Sequence, residues 1–567
     1  MSRNLAKQVL FLYLAIFVML LVASPLMALT GSLAPTRSLS QTNLANRTGF
    51  VPPQMDLDHL KIHDFSSRFQ SPVALTRWDW REGGNVSSVK DQGACGACYA
   101  FAALACFESR VLIDSSVTYD FSENNAKECN WYGTSCFGGN FYYVASLLSQ
   151  QGTVLESCDP YVAANVACNS TCDQIKTLLD WRVISSDFVP ITVVLQNYIY
   201  NNGPVYTSMY AGNSDAWYSE FVSYDGSYVL HYTGLETPNH AVMIVGWDDT
   251  LSHAGGTGAW IVKNSWGTGW GGNCDYGSES GYFYIAYGSG SIGKYASFVN
   301  DWQDCSVGDR IYYYDEGGYT NSWGYGNTSG WGLCDFTPVE DAYLTRVEFW
   351  TNDITTDIDV YIYDDFDGST ASTLLAQKLN CSFTEAGYHS IALDSPPQIL
   401  AGDNVYAVVK FTNSIYTYPI VIDGSGVTES GKTYVSSNGS SWYELGASQG
   451  YDVAIRVRTA PTLAVSADDP QEVIPFRFSL SNNYPNPFNP STTIQYTVEH
   501  TAHVEISIYN LIGQKITTLV DEVKTMGEHE VGWDGRDSDG RQVPTGIYFY
   551  QLRAEDYAET KKMLRLK

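Results

Sequence analysis

Charge is the scarcest commodity in this chain. Asp, Glu, Lys and Arg make up 16% of its 567 residues, against about 25% in an ordinary soluble domain. Basic residues are the rarer sign: 32 Lys and Arg stand against 61 Asp and Glu, a formal net charge of −29. Such a chain repels a phosphate backbone, so nucleic acid is excluded as a partner. Beyond the N-terminus no stretch approaches the ~18 apolar residues of a membrane span, and no convincing internal repeat is found. Aromatics are abundant instead, at 14% with 41 tyrosines, and low charge with many rings is the opposite of a disordered composition. At ~150 residues per domain the length allows three or four domains. Each can bury an ordinary core without needing metal or disulfides to fold.

The N-terminus places Arg3 and Lys7 before an apolar run from Val9 to Val22, followed by Ala23, Ser24 and Ala28. That order of basic, apolar and small residues predicts a secretory signal peptide over 1–28; the competing reading is an uncleaved anchor. Export makes the 12 cysteines candidates for disulfides. Zinc is the rival for Cys95-Gly-Ala-Cys98 and Cys168-Asn-Ser-Thr-Cys172, whose spacing matches a metal knuckle, but no metal is expected.

Composition divides the remainder. Residues 29–72 are polar and proline-containing, and read as a pro-segment or linker. Residues 73–300 mix a helical pattern in CYAFAALACFESRVLID with strand-like runs at 241–246 and 259–263, an α+β domain. Residues 305–459 alternate in short segments, such as 343–350, 358–363 and 404–411, separated by Gly, Asn, Asp and Ser; this predicts a β-sandwich. A polar linker at 460–475 leads to a last alternating module, 476–567.

Three separated motifs carry chemistry. In Asp91-Gln-Gly-Ala-Cys-Gly-Ala-Cys-Tyr-Ala-Phe101 a Gly-rich turn enters the helix with Cys98 in its first turn. The unpaired N–H groups there favour a thiolate, although a disulfide is the commoner fate of an exported cysteine. Gln92, six residues earlier, is a candidate to bring its carboxamide NH2 beside the Cys98 N–H, where two converging donors would hold an oxyanion. Pro238-Asn-His240 opens an apolar strand, which suits a general base when the second ring nitrogen has an orienting partner. Taken alone, His240 reads as a structural histidine. Lys263-Asn-Ser-Trp-Gly-Thr-Gly-Trp-Gly271 offers Asn264 as that orienting partner and Trp266 as a cover that shields the bond from water.

Together these residues resemble the papain family of cysteine peptidases. Cys95-Gly-Ala-Cys98-Tyr99 satisfies its C-G-[SA]-C-[WY] signature; His240 follows 142 residues later and Asn264 another 24. The likeness runs from Trp78-Asp-Trp-Arg81 to about Gly288. It implies an α+β papain-like domain with a helical half and a β-barrel-like half, followed by two all-β sandwiches. It also implies Cys98 as nucleophile, His240 as acid and base, Asn264 as orienting residue, and Gln92 with the Cys98 N–H as oxyanion hole. Gly138 and Gly139 of Cys136-Phe-Gly-Gly-Asn140 would admit substrate backbone. Phe141 and Asn239 would line the cleft beside Trp266, and Cys95–Cys136 and Cys129–Cys168 would be disulfides. Cys106 is expected as a buried thiol. No cofactor is implied.

The chain departs from that family in three places. Tyr99 replaces the more usual Trp, the segment before Trp78 lacks a long helical pattern, and an insertion spans Asn273–Ser280. The 305–459 sandwich resembles lectin-like domains of bacterial surface proteins. There Asn321-Ser-Trp-Gly-Tyr-Gly326 would suit stacking on sugars, with core packing as the bland alternative. The last module, with Asn483-Tyr-Pro-Asn-Pro-Phe-Asn-Pro490, Trp533-Asp-Gly535 and a basic end, resembles C-terminal sorting domains of type IX secretion. That implies the outer-membrane secretion machinery as a partner and a Gram-negative source. The acidic loop Asp534, Asp537, Asp539 reads as a solvated turn rather than a calcium site. The expectation is a secreted or surface endopeptidase acting on proteins or peptides, with a glycan- or surface-binding sandwich. The alternative is an adhesin whose papain-like domain is an inert scaffold.

Overall fold

A computed structural model describes residues 48–62, 73, 75–462, 488–498, 502–510, 512–524, 527–554 and 557–565, together with 32–33, 479–480 and 483. The signal peptide expected over 1–28 lies outside the described residues. The chain divides into two compact units, one ending at Leu463 and one beginning at Ala464.

In the first unit, helix α1 (Cys98–Ser115) carries small and apolar residues around most of its circumference and is buried along its length, as such a helix must be. Helix α2 (Phe141–Gln150) is buried throughout. It begins at Asn140, whose side-chain oxygen accepts the Tyr143 N–H at 3.2 Å, a polar cap on an otherwise apolar element. Six strands make the other half: β1 (Lys176–Val183), β2 (Val205–Met209), β3 (His240–His253), β4 (Gly256–Lys263), β5 (Tyr282–Ala286) and β6 (Lys294–Asp304). Their order is β1-β6-β2-β3-β4-β5. Strands β3 and β4 are antiparallel with Met243 opposite Lys263. The start of β3 and the end of β4 therefore meet, which brings His240 and Asn264 to one edge of the barrel half.

The sandwich follows in the same unit. One sheet holds β7 (Ser329–Phe336), β9 (Thr356–Phe366), β10 (Ala371–Phe383), β12 (Val405–Asn413), β13 (Thr433–Ser436) and β14 (Trp442–Glu444), in the order β10-β9-β12-β7-β13-β14. Facing it are β8 (Ala342–Thr351), β11 (Gly387–Ala392) and β15 (Ile455–Ala460). Alternate residues of the two sheets, among them Val347, Phe349, Ile358, Val360, Ile362, Val409 and Ile455, fill the core, the expected pattern for stacked antiparallel sheets.

The sandwich is joined to the α+β part by backbone as well as side chains. Strand β11 pairs with β1, Tyr388 opposite Trp181, so one sheet runs through both. Trp181 and Trp350 meet edge to face at 5.1 Å. The fully buried Arg456 holds Asp315 at 2.8 Å and the Ser149 hydroxyl at 3.0 Å. His389 Nδ1 lies 2.9 Å from Asp180 and its Nε2 2.9 Å from the Thr351 hydroxyl. Buried charge is tolerated here because each group is paired and hydrogen-bonded.

The second unit pairs three strands, 479–480, 492–498 and 527–533, with a four-stranded antiparallel sheet of 515–524, 502–510, 546–554 and 557–565. Its core gathers Ile494, Tyr496, Val504, Ile506, Trp533 and Tyr550. In its acidic loop Asp534 pairs with Arg536 and Asp539 with Arg541, while Asp537 accepts the backbone N–H groups of Asp539 and Arg541.

Candidate active site

Ala97, which precedes α1, supplies no side-chain cap, so the first N–H groups of the helix are free to serve a ligand or a sulfur. Cys98 sits at that end, unbridged and fully buried. The Ala241 N–H lies 3.4 Å from its Sγ, which sets the sulfur against the peptide following His240. The His240 Nε2 lies 2.8 Å from Asn264 Oδ1. Its Nδ1 has no hydrogen-bond partner among the described residues and is the nitrogen left for proton exchange. Trp266 lies over the pair with its ring 5.3 Å from the imidazole.

Gln92 is held from two sides. Its Nε2 donates to the Cys95 carbonyl at 2.7 Å and its Oε1 accepts the Ser265 hydroxyl at 2.6 Å. The Tyr161 hydroxyl donates to its backbone carbonyl at 2.8 Å. Cys95 is bridged to Cys136 and Cys129 to Cys168, and a third bridge joins Cys158 to Cys172. Cys106 is a buried free thiol. The insertion at 273–280 is pinned by Arg81, which donates to the carbonyls of Asn273 and Cys274.

The cleft is filled by the chain's own residues 48–51. The Val51 N–H donates to the Gly139 carbonyl at 2.9 Å and the Gly139 N–H to the Gly49 carbonyl at 2.8 Å. The Phe50 N–H donates to the Asn239 carbonyl at 3.0 Å. Phe50 is fully buried, its ring 5.2 Å from that of Tyr295. The approach is close enough to dictate sequence. A Cβ on Gly49 would lie 1.8 Å from the Gly96 carbonyl oxygen. Gly138 has φ +105° and a Cβ there would meet Gly49 at 2.6 Å. Phe141 lies one layer deeper, packed on Trp181 and Tyr206.

Burial sets the electrostatics of the site. Burial pushes the Cys98 thiol up to about 12, although the N–H groups of Ala241, Gly49, Tyr99 and Cys98 itself favour the thiolate. Burial also lowers His240 to about 4, against the pull of Asn264. Thiol and imidazole are therefore both neutral between those values, a silent pair. Below the helix Lys90 Nζ reaches Glu108 at 2.9 Å and Glu123 at 2.8 Å, so the carboxylates that an apolar helix buries are compensated. Among the described residues no group of three or more His, Cys, Asp or Glu is arranged to hold a metal.

Sequence reasoning did not single out Ser265, Tyr161 or the Lys90 cluster, nor the role of Gly49 and Phe50. One signal for the strap was present, a Gly-Phe pair followed by Pro52 and Pro53 inside an otherwise polar segment.

An unbridged cysteine at an uncapped helix end, set against the strand that carries an Asn-paired imidazole, fits a papain-family cysteine protease domain, here followed by a lectin-like domain. Residues 74–306 match the model of the papain family cysteine proteases, residues 311–459 that of the lectin-like domain, and residues 488–557 that of the FlgD Ig-like domain. A cathepsin L-like proteinase of Fasciola hepatica is 33% identical over 227 residues, covering 39% of this chain and 63% of the relative. Cysteine proteinase 1 of Entamoeba histolytica is 31% identical over 236 residues, covering 40% and 66%. The chain thus spans less than two thirds of the length of these curated relatives. In fold it is similar to the cysteine protease and lectin-like domains of Cwp84, a surface layer associated protein of Clostridium difficile. That structure superposes with a TM-score of 0.60 at 17% identity over 76% of this chain and 98% of the other.

Proposed function

We propose that the chain is a cysteine endopeptidase that is exported in latent form and works outside the cell or on its surface. One observation carries this reading: a helix end and a hairpin end, far apart in sequence, meet so that Cys98, His240 and Asn264 share one site with Gln92. A binding scaffold needs none of these groups, which weighs against the adhesin alternative. In the reaction the Cys98 thiolate attacks the substrate carbonyl carbon, and the oxyanion is met by Gln92 and the Cys98 N–H. His240, protonated in the ion pair, gives its proton to the departing amine as the C–N bond breaks. A water then loses a proton to His240 and attacks the thioester carbon, which releases the carboxylic acid and returns the sulfur.

Residues 48–51 act as the latency element, because they occupy the substrate path beside Gly138, Gly139 and Asn239 and keep the dyad neutral. The leader at 1–28 and the likeness of the last module to type IX sorting domains support passage across two membranes of a Gram-negative cell. The sandwich would serve as the accessory ligand-binding part.

The test is alkylation by iodoacetamide or an epoxysuccinyl probe at neutral pH, before and after cleavage of the chain between Ile62 and Arg77. Fast labelling of the cut wild type once the piece ending at Ile62 has been separated from it, slow labelling of the uncut chain and none at position 98 in Cys98→Ala are expected. Equally slow labelling of all cysteines in the cut chain freed of that piece would favour the scaffold.

A further inference from the structure

The solvent side of the six-stranded sheet is unusual in its chemistry. An antiparallel sheet with one face on a core normally carries polar residues on the other. Here the outward positions of β9, β7, β13 and β14 hold Tyr361, Tyr363, Trp331, Tyr434 and Trp442, with Phe366 at the strand end. All six remain partly exposed and pack on a thin buried layer of Leu333, Tyr406 and Val408. Trp331 and Tyr361 are near-parallel at 5.9 Å and 26°, and Tyr361 and Tyr363 at 6.2 Å and 19°. These three rings form a row rather than an interdigitated cluster. Trp323, the tryptophan of the 321–326 motif, is by contrast 3% exposed and belongs to the core, so that motif is not the platform.

The charges around the row narrow the occupant. Two cations beside it are already engaged: Lys410, in register with Trp331, holds Asp359 at 3.1 Å and lies 5.7 Å over the centre of the Trp331 ring, and Lys432 holds Asp335 at 3.4 Å. Asp364 and Asp365 stand exposed at the end of β9. The electron-rich ring faces and the spare carboxylates repel a polyanion, as does the net charge of −29. They complement a chain that offers C–H groups to the rings and hydroxyl donors to the carboxylates.

We propose that this aromatic face of the sandwich binds an uncharged polysaccharide, with successive sugar rings laid along Trp331, Tyr361 and Tyr363. The assignment is independent of the peptidase reading, and its test leaves that reading aside by using the Cys98→Ala chain. Full-length Cys98→Ala protein is run through native gels containing xylan, galactomannan or hydroxyethyl cellulose, with polygalacturonate as the polyanion arm. Retardation by at least one neutral polymer is expected, unchanged in high salt. The Tyr361→Ala/Tyr363→Ala pair should lower the apparent affinity by about tenfold or more, the size expected for loss of a stacking ring. Tyr363→Ala alone is the second variant, and unchanged thermal midpoints show that the fold is intact. The proposal is overturned if no neutral polymer retards the protein, if retardation ignores both variants, or if only polygalacturonate retards it. It is also overturned if the face proves to be a self-association surface, seen as a dimer that the double variant turns into a monomer.

Discussion

At the scale of single residues, the closed cleft makes quantitative demands. With His240 lowered to about 4 and free imidazole near 6.5, proton uptake favours any state in which the ring is exposed. The stabilisation of the closed form is therefore complete above pH ~6.5 and falls as pH drops toward 4. The protection factors of the Phe50 and Val51 amides, taken relative to intrinsic exchange at each pH, should fall between pH 7.5 and 5. Gly49→Val places a side chain into the Gly96 carbonyl and should expel the strap, so Cys98 in the uncut chain alkylates at least several-fold faster. Gln92→Ala in the cut chain should lower kcat by ~10²–10³, the cost of losing one oxyanion donor, with KM little changed. A fourth residue lies in the sandwich. Burial raises Asp452 to about 8, so its contribution to stability declines as pH rises from about 4 to 8. Asp452→Asn should raise Tm at pH 8 and leave it nearly unchanged at pH 4.5.

At the scale of elements, the strands and the long helix were legible because their residues obey one period each. The 98–114 pattern of small and apolar residues lies in helix α1, the alternations at 241–246, 259–263, 343–350 and 358–363 lie within strands, and that at 404–411 begins one residue before its strand. The approach of Cys98 to the His240–Asn264 hairpin end came only from family resemblance, since no local pattern encodes how strands pair across 142 residues. The strap was illegible for a different reason. Residues 48–51 have no internal period and take their conformation from Gly139 and Asn239, so their structure belongs to the cleft. The aromatic row was hidden by alternation itself: in Ile358-Asp-Val-Tyr-Ile-Tyr363 both faces carry large side chains, and pattern alone does not say which face meets water. Strand β1 supplies a prediction of its own. Trp181→Ala removes a fully buried ring at the junction with β11 and should destabilise the first unit by ~3–5 kcal/mol, measured by denaturant titration.

At the scale of the whole molecule, protease and sandwich in the first unit are a single folded body. Ending the chain after residue 305 would strip β1 of β11 and expose Trp181. Such a fragment should aggregate or melt well below the full first unit, seen by sedimentation and scanning calorimetry. The strap reaches across the same body. Past the cleft, His59 stacks on Tyr416 with ring centroids 3.8 Å apart and lies 2.7 Å from the Asn352 carbonyl. A cut after Ile62 therefore leaves the freed piece clipped to the sandwich. Scission and awakening become two clocks: the first is set by whichever enzyme makes the nick, the second by how quickly a tethered ribbon lets go of a lectin-like surface. Anything that occupies that surface near Tyr416 would shorten the delay, so the moment of release would register where the protein has landed.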